Sequence, residues 1–317
     1  MNYLTKKLTV ILSIPLLFII AVILLFVHRD IPLNELKIKY ANSNSSFIAV
    51  NGMDVHFRDE GLQTDTIPIV LIHGTGASLH TFNAWSDRLK KLHRVIRMDL
   101  PAYGLTGPFP DGNYTMAHYI AFLKDFLTAL NIKKCVLAGN SLGGAIAWNF
   151  TLEQPSMVTK LILIDASGYP IASKSVPIAF SLAKIPVINK LLSFITPRFL
   201  VRASVENVYF DNSKVTDTLV ERYFELTLRK GNRKAFVDRL KIPKDTSAYS
   251  NIKYIKQPTL LLWGAEDLLI PVENAHKFHQ DLPNNTLVIL DDTGHTPMEE
   301  SPLESLEPVL NFLKTSP

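Results

Sequence analysis

The chain has 317 residues, 47% of them apolar and 20% charged, which fits a folded protein with ample chain for a core and excludes a disordered one. Its net charge of +4, with no basic run interleaved with aromatics, excludes the nucleic-acid-binding classes. The single cysteine, Cys135, excludes an intramolecular disulfide and a Cys-rich zinc site.

Residues 8–27 form a run of twenty uncharged, mostly apolar residues, with Lys6 and Lys7 before it and His28, Arg29 and Asp30 after it. A helix of that length spans roughly 30 Å, the thickness of a bilayer's hydrocarbon core. The run ends in Leu24-Leu25-Phe26-Val27, with no small residues for signal cleavage. It is predicted to be one uncleaved N-terminal transmembrane helix, so residues 1–30 form a membrane anchor. The lysines before it place the N-terminus in the cytoplasm and the remaining chain on the exported side, periplasmic or extracellular. Residues 31–46 are polar and read as an irregular tether.

Beyond the tether, Phe47–Val50 and Met53–Phe57 flank Asn51-Gly52, a hairpin signature. Ile67–Ile72 is a continuous apolar run, as in a strand buried on both faces. A helix is predicted over Ser78–Lys91, a strand over Arg94–Asp99 and a loop over the Pro- and Gly-rich 101–113. Apolar spacing predicts a helix over Thr115–Leu130. Strand Cys135–Ala138, helix Leu142–Gln154 and strand Leu161–Ile164 follow. Residues 170–255 break the alternation with helical runs alone. It resumes with Thr259–Trp263, helix Val272–Leu282, strand Leu287–Leu290 and a helix near Leu303–Leu313. Alternation of this kind predicts an α/β fold, a mostly parallel sheet with helices on both faces. Its core spans 47–169 and 256–317, with 170–255 inserted as a helical cap.

The chemistry centres on Gly139-Asn140-Ser141-Leu142-Gly143, between a strand and a helix. That context is a nucleophile elbow, which lifts a serine oxygen above the sheet. The hydroxyl needs a base, and His295, on a loop after the last strand, is the one histidine of nine so placed. The imidazole needs an acid to hold its tautomer. Asp267, past the second-last strand, is the choice; Asp165, after the Leu161–Ile164 strand, is the runner-up. Asp99 also ends a strand but precedes the serine. For an oxyanion hole, one N–H comes from Leu142 and one from the loop His73-Gly74-Thr75-Gly76-Ala77, with Thr75 ahead of Gly76. His73 is read as ordering that loop, not as the base.

These motifs, HGTGAS (73–78), DLPAYGLTGP (99–108), GNSLGG (139–144), WGAEDLLIP (263–271) and GHTPMEESP (294–302), resemble the α/β-hydrolase fold superfamily, in its serine-nucleophile branch. The resemblance implies an eight-stranded, mostly parallel sheet with a helical cap. It implies a Ser141–His295–Asp267 triad needing no cofactor and no metal. Ser141 departs from epoxide hydrolases and haloalkane dehalogenases, which carry an Asp at the elbow. The chain looks most like bacterial membrane-anchored esterases and lipases, acting on small-molecule or lipid-like esters through an acyl-enzyme. The elbow is also similar to that of meta-cleavage product hydrolases, which cut carbon–carbon bonds with the same triad. That activity is the alternative, and a non-catalytic binding protein on the same fold is a third reading. Residues 171–255 carry 15 Lys and Arg against 7 Asp and Glu, while the rest of the chain has a net charge of −4. This basic block reads as a lid with an apolar underside; the sharper reading docks it on anionic lipid, and another attracts an acidic substrate.

Overall fold

The computed structural model describes residues 26–170, 172–192, 194–243 and 248–315. The predicted span 8–27 lies outside them except for Phe26 and Val27. Among the described residues no helix is long and apolar enough to cross a membrane.

The segment read as an irregular tether folds instead into helix α1 (Leu33–Tyr40). Only Leu36 and Tyr40 are buried in it, packed with Leu105 and Leu226, and Arg58 Nη2 donates to Tyr40 O at 3.0 Å. Its partners lie far along the chain, so local polarity hides the helix and tertiary packing makes it. Strands β1 (Ser45–Val50) and β2 (Met53–Gly61) pair antiparallel. Asn51 and Gly52 between them both have positive φ, as a two-residue hairpin turn demands.

There follow β3 (Ile69–Ile72), α2 (Asn83–Leu89), β4 (Arg94–Met98), α3 (Met116–Ala129), β5 (Cys135–Asn140), α4 (Leu142–Glu153) and β6 (Val158–Ile164). The helix expected over Ser78–Lys91 divides into a 3-10 turn (Leu79–Phe82) and α2; the Asp99 carboxylate holds the start of the turn by accepting Leu79 N at 2.8 Å. β3 begins two residues later than expected, because Pro68 has no N–H for a ladder. β6 begins three residues earlier, through Lys160, a buried lysine. Its ammonium donates to Phe312 O, Leu313 O and Thr315 O at the chain's C-terminal end.

Helices α5 (Ile178–Leu182), α6 (Ile188–Leu191), α7 (Arg198–Glu206), α8 (Asp217–Thr227) and α9 (Asn232–Lys241) fill the stretch before β7 (Thr259–Gly264). The chain closes with α10 (Glu273–Asp281), β8 (Asn285–Leu290), α11 (Pro297–Glu300) and α12 (Pro302–Lys314).

The eight strands form one sheet in the order β1-β2-β4-β3-β5-β6-β7-β8. The pairs β1–β2 and β2–β4 are antiparallel and the others parallel. Alternate residues point to opposite faces. Val70 and Ile72 of β3 pack with Phe122, Phe126 and Ile146 on one face. Ile69 and Leu71 pack with Phe82, Trp85 and Val309 on the other. Burial on both sides explains the unbroken apolar runs. The parallel strands end together at one edge, where ligands bind in open α/β sheets.

The helical segment over that edge is fastened unevenly. Arg222 and Tyr223 of α8 bind the Glu299 carboxylate. Arg229 donates to Leu105 O and Thr106 O, and Asn232 to Gly104 O. By contrast, among the described residues no hydrogen bond joins 176–192, which holds α5 and α6, to the core; the nearest are those of Ser173, Lys174 and Ser175 to Leu268 and Leu269 carbonyls.

Candidate active site

Ser141 stands between β5 and α4 with φ 54° and ψ −113°, a strained backbone for any residue with a side chain. The turn holds because glycines bring the surrounding backbone close. A Cβ on Gly139 would sit 2.2 Å from Gly143 O, and one on Gly143 would sit 2.2 Å from Ile72 O. Neither position admits a side chain, so strand, turn and helix pack as one unit. Leu142 is the first residue of α4, where backbone N–H groups have no partner within the helix and the dipole's positive end lies.

His295 is held after β8 by its own backbone, with its N–H donating to Val208 O at 2.8 Å. Its Nδ1 lies 2.7 Å from Asp267 Oδ2. The other Asp267 oxygen accepts Leu269 N at 2.8 Å and Ile270 N at 2.9 Å. Three donors therefore orient one buried carboxylate, and the sequence's first choice of acid faces the imidazole. Ser141, His295, Thr75 and Gly76 all line one cavity under the helical segment. Gly76 has φ 76° and open space where a Cβ would stand. Leu142, the other sequence-predicted oxyanion donor, is buried and does not line that cavity.

Asp165, the runner-up acid, sits immediately beside this pair. One ligand atom each from Asp165, Asp267 and His295 lie within 4.8 Å of one another, a grouping that could hold a metal ion but here carries the His295–Asp267 hydrogen bond. Asp165 Oδ1 accepts Gly264 N at 3.0 Å, while its buried Oδ2 has no hydrogen-bond partner in the geometry. Burial, and then the neighbouring Asp267 carboxylate, push the Asp165 carboxyl well above the usual range. Both effects favour the neutral, protonated carboxyl over the carboxylate. His73 Nδ1 lies 2.8 Å from Gly74 O and its Nε2 accepts Leu100 N at 2.9 Å. That leaves no nitrogen free for a substrate, and burial pushes its pKa down. It ties the glycine loop to the end of β4, as its sequence reading has it.

Two residues escaped the sequence reading. Asn140 Nδ2 donates to His295 O at 3.0 Å and Ile164 O at 3.2 Å, clamping the histidine's backbone to the elbow. Glu300 accepts Gly294 N at 2.8 Å through one oxygen. Through the other it accepts Phe210 N and Asp211 N, joining the His295 loop to the helices above. Both stand inside motifs already noticed, one residue before Ser141 and five after His295; nothing local shows what they reach.

The remaining cavity wall is chiefly apolar, with Phe180, Leu192, Leu200, Val201 and Phe236 from the helical segment. Among the described residues lining it, Arg233 is the one Lys or Arg. That guanidinium is committed to Phe194 O, His28 O and Asp30, and its Nε is buried without a partner.

The sequence model of the family described as alpha/beta hydrolase fold matches residues 67–302. The chain is similar to an uncharacterized hydrolase of Bacillus subtilis, 28% identical over 268 residues, which span 84% of this chain and 96% of the other. It is also 28% identical, over 275 residues, to the 2-hydroxy-6-oxo-6-(2'-aminophenyl)hexa-2,4-dienoic acid hydrolase of Metapseudomonas resinovorans, covering 84% and 90%. Among solved structures it shares its fold with a bacterial membrane phospholipase A, with a TM-score of 0.71, 24% identity and coverage of 98% and 96%.

Proposed function

The chain belongs to the alpha/beta hydrolase fold family, and we propose that it is a serine hydrolase of carboxylic esters with an apolar, lipid-like acyl group, anchored in a membrane by residues 8–27 and facing the exported side. His295 takes the Ser141 hydroxyl proton as Oγ attacks the ester carbonyl carbon. The negative charge on the carbonyl oxygen is held by the N–H of Leu142 and an N–H of Thr75 or Gly76. The carbon–oxygen bond breaks and the alcohol leaves with the proton from His295. Water then attacks the acyl-enzyme under the same base, and the acid departs. Asp267 fixes the imidazole tautomer throughout.

The observation that carries the ester reading is the cavity wall. Apolar side chains surround Ser141 and His295, and the guanidinium nitrogens of the one arginine are mostly spent elsewhere. Such a wall suits an acyl chain and gives little to a carboxylate. One observation favours the carbon–carbon hydrolase instead. The unpartnered Arg233 Nε is a buried donor on a residue of that wall, and the dienoic acid hydrolase relative acts on a substrate with a carboxylate.

The test compares full-length wild type with Ser141→Ala on p-nitrophenyl esters from acetate to palmitate. Hydrolysis by the wild type, rising with chain length and lost in the variant, is the expected result. A wild type that ignores every ester, yet is labelled at Ser141 by a fluorophosphonate and consumes a 2-hydroxy-6-oxo-dienoate, overturns the ester reading for the alternative.

A further inference from the structure

The outer wall of the cavity is apolar on both of its sides. Seven large apolar side chains stand exposed between residues 176 and 199, against ten over all the other described residues. Val187 is 68% exposed, Phe194 65% and Phe199 58%. The same stretch turns Phe180, Leu192 and Leu200 inward to the cavity. A helix over a cavity in water carries a polar outer face, whereas α5, α6 and their flanks expose these apolar side chains among Ser181, Lys184 and Lys190. A concentrated exposed apolar patch marks an interaction surface.

Two independent features identify its occupant. The first is charge. Residues 166–205 contain no Asp or Glu and five cations, among them Lys184 and Lys190, both exposed. An apolar surface whose only charged residues are cations matches an anionic lipid interface. The second is the place where the apolar run 8–27 joins the described structure. Val27 pairs antiparallel with Ile195, and the Phe26 ring meets that of Phe199 at 5.7 Å. The run therefore arrives on this same face.

We propose that residues 176–199 rest in the headgroup region of the anionic leaflet that holds the anchor, so that the acyl chain of the substrate passes from lipid into the cavity across α5 and α6. This rests on the reading of 8–27 as an anchor and adds the orientation of the body upon it. The segment is then the wall through which the substrate is sampled, and the apolar exposure is its working surface.

The test uses the full-length chain in vesicles of phosphatidylglycerol and phosphatidylcholine. Cys135 is buried, so single cysteines from Val187→Cys, Phe194→Cys and, as a control on α3, Asp125→Cys take an environment-sensitive fluorophore selectively. Quenching by lipids spin-labelled near the headgroup is expected at 187 and 194 and absent at 125. Flotation with the vesicles but no quenching at 187 and 194 overturns the docking and leaves the anchor standing. Shielding from aqueous quenchers without lipid quenching, as a second copy or residues 1–25 over the face would give, overturns it too. Failure to float overturns both. The double variant Val187→Glu, Phe194→Glu is expected to lose at least about tenfold in hydrolysis of a vesicle-borne ester and to keep its rate on p-nitrophenyl butyrate. Equal loss on both substrates, or on neither, counts against the proposal.

Discussion

Two serine–histidine–aspartate sets occupy this fold, and they stand in different surroundings. In one, His56 Nδ1 lies 2.7 Å from Asp99 Oδ2 and its Nε2 lies 2.9 Å from Ser45 Oγ. In the other, His295 Nδ1 lies 2.7 Å from Asp267 Oδ2 and faces a cavity shared with Ser141. Ser45 opens an edge strand, with no helix N-terminus behind it. Its oxygen already receives Arg58 Nε and Asn42 N at 3.2 Å each. Asp99 gathers Leu79 N and Leu105 N besides the imidazole, and His56 is fully buried. The first set is a bolt between β1, β2 and the loop after β4. The second has a strained elbow, the start of α4 directly after its serine, and a cavity beside it. Chemistry follows from what surrounds the three residues rather than from the three alone.

The sharpest test exchanges the serines. Ser141→Ala is expected to lower kcat by about 10⁴-fold or more with an unchanged melting temperature. Ser45→Ala should keep kcat within twofold and lose about 1 kcal/mol in chemical denaturation. A kinetic loss at Ser45 would collapse the distinction. Next come the acids. Asp267→Asn should cost about 10⁴-fold in kcat, since the imidazole tautomer is lost. Asp99→Asn should act on stability instead, by about 3 kcal/mol, because buried donors lose a charged partner; urea titration reads it. Asn140→Ala should cost about 10- to 100-fold in kcat with KM little changed, through the displaced His295 backbone. An equal loss of stability with no kinetic change would make Asn140 merely structural.

The smallest effect is in pH dependence, where two buried acids have opposite signs. Burial alone would raise Asp99, but His56 and the nearby His80 and His73 hold it below the usual carboxylate range. Its contribution to stability is present at neutral pH and is lost as pH falls through that lowered value. Asp165 is raised, by burial and then by Asp267, with Glu300 adding to it. Its contribution is complete below the ordinary carboxylate range and is lost as pH rises toward the raised value. Asp165→Asn should therefore gain melting temperature relative to wild type at pH 8 and show no gain at pH 3. A gain of the same size at both would remove ionisation as the cause.

The sequence announced the candidate triad and concealed the bolt. Ser141 was legible because a strand, two flanking glycines and a helix stand in line around it. His295 and Asp267 were legible because each follows a predicted strand in the order the elbow requires. Ser45, His56 and Asp99 carry no such local frame; only the β1–β2 register, Phe47 opposite His56, and the antiparallel β2–β4 pairing bring them together. Helix α1 was missed for the same reason, since Leu36 and Tyr40 meet their partners across the fold. The parallel sheet was legible because its strands are buried on both faces. Strand ends that depend on Pro68 or on a buried Lys160 were not.

The uneven fastening of the helices over the cavity separates the tempo of turnover from its chemistry. Arg222, Tyr223, Arg229 and Asn232 rivet α8 and α9 to the core, while among the described residues no hydrogen bond ties α5 and α6 to it. A segment so attached opens at a free energy well below that of global unfolding. Its amides are expected to exchange with deuterium earlier than those of the sheet, and opening of such a segment falls on the order of microseconds to milliseconds. If substrate enters across that segment, its opening, and not the alignment of Ser141 with His295, is expected to cap the rate.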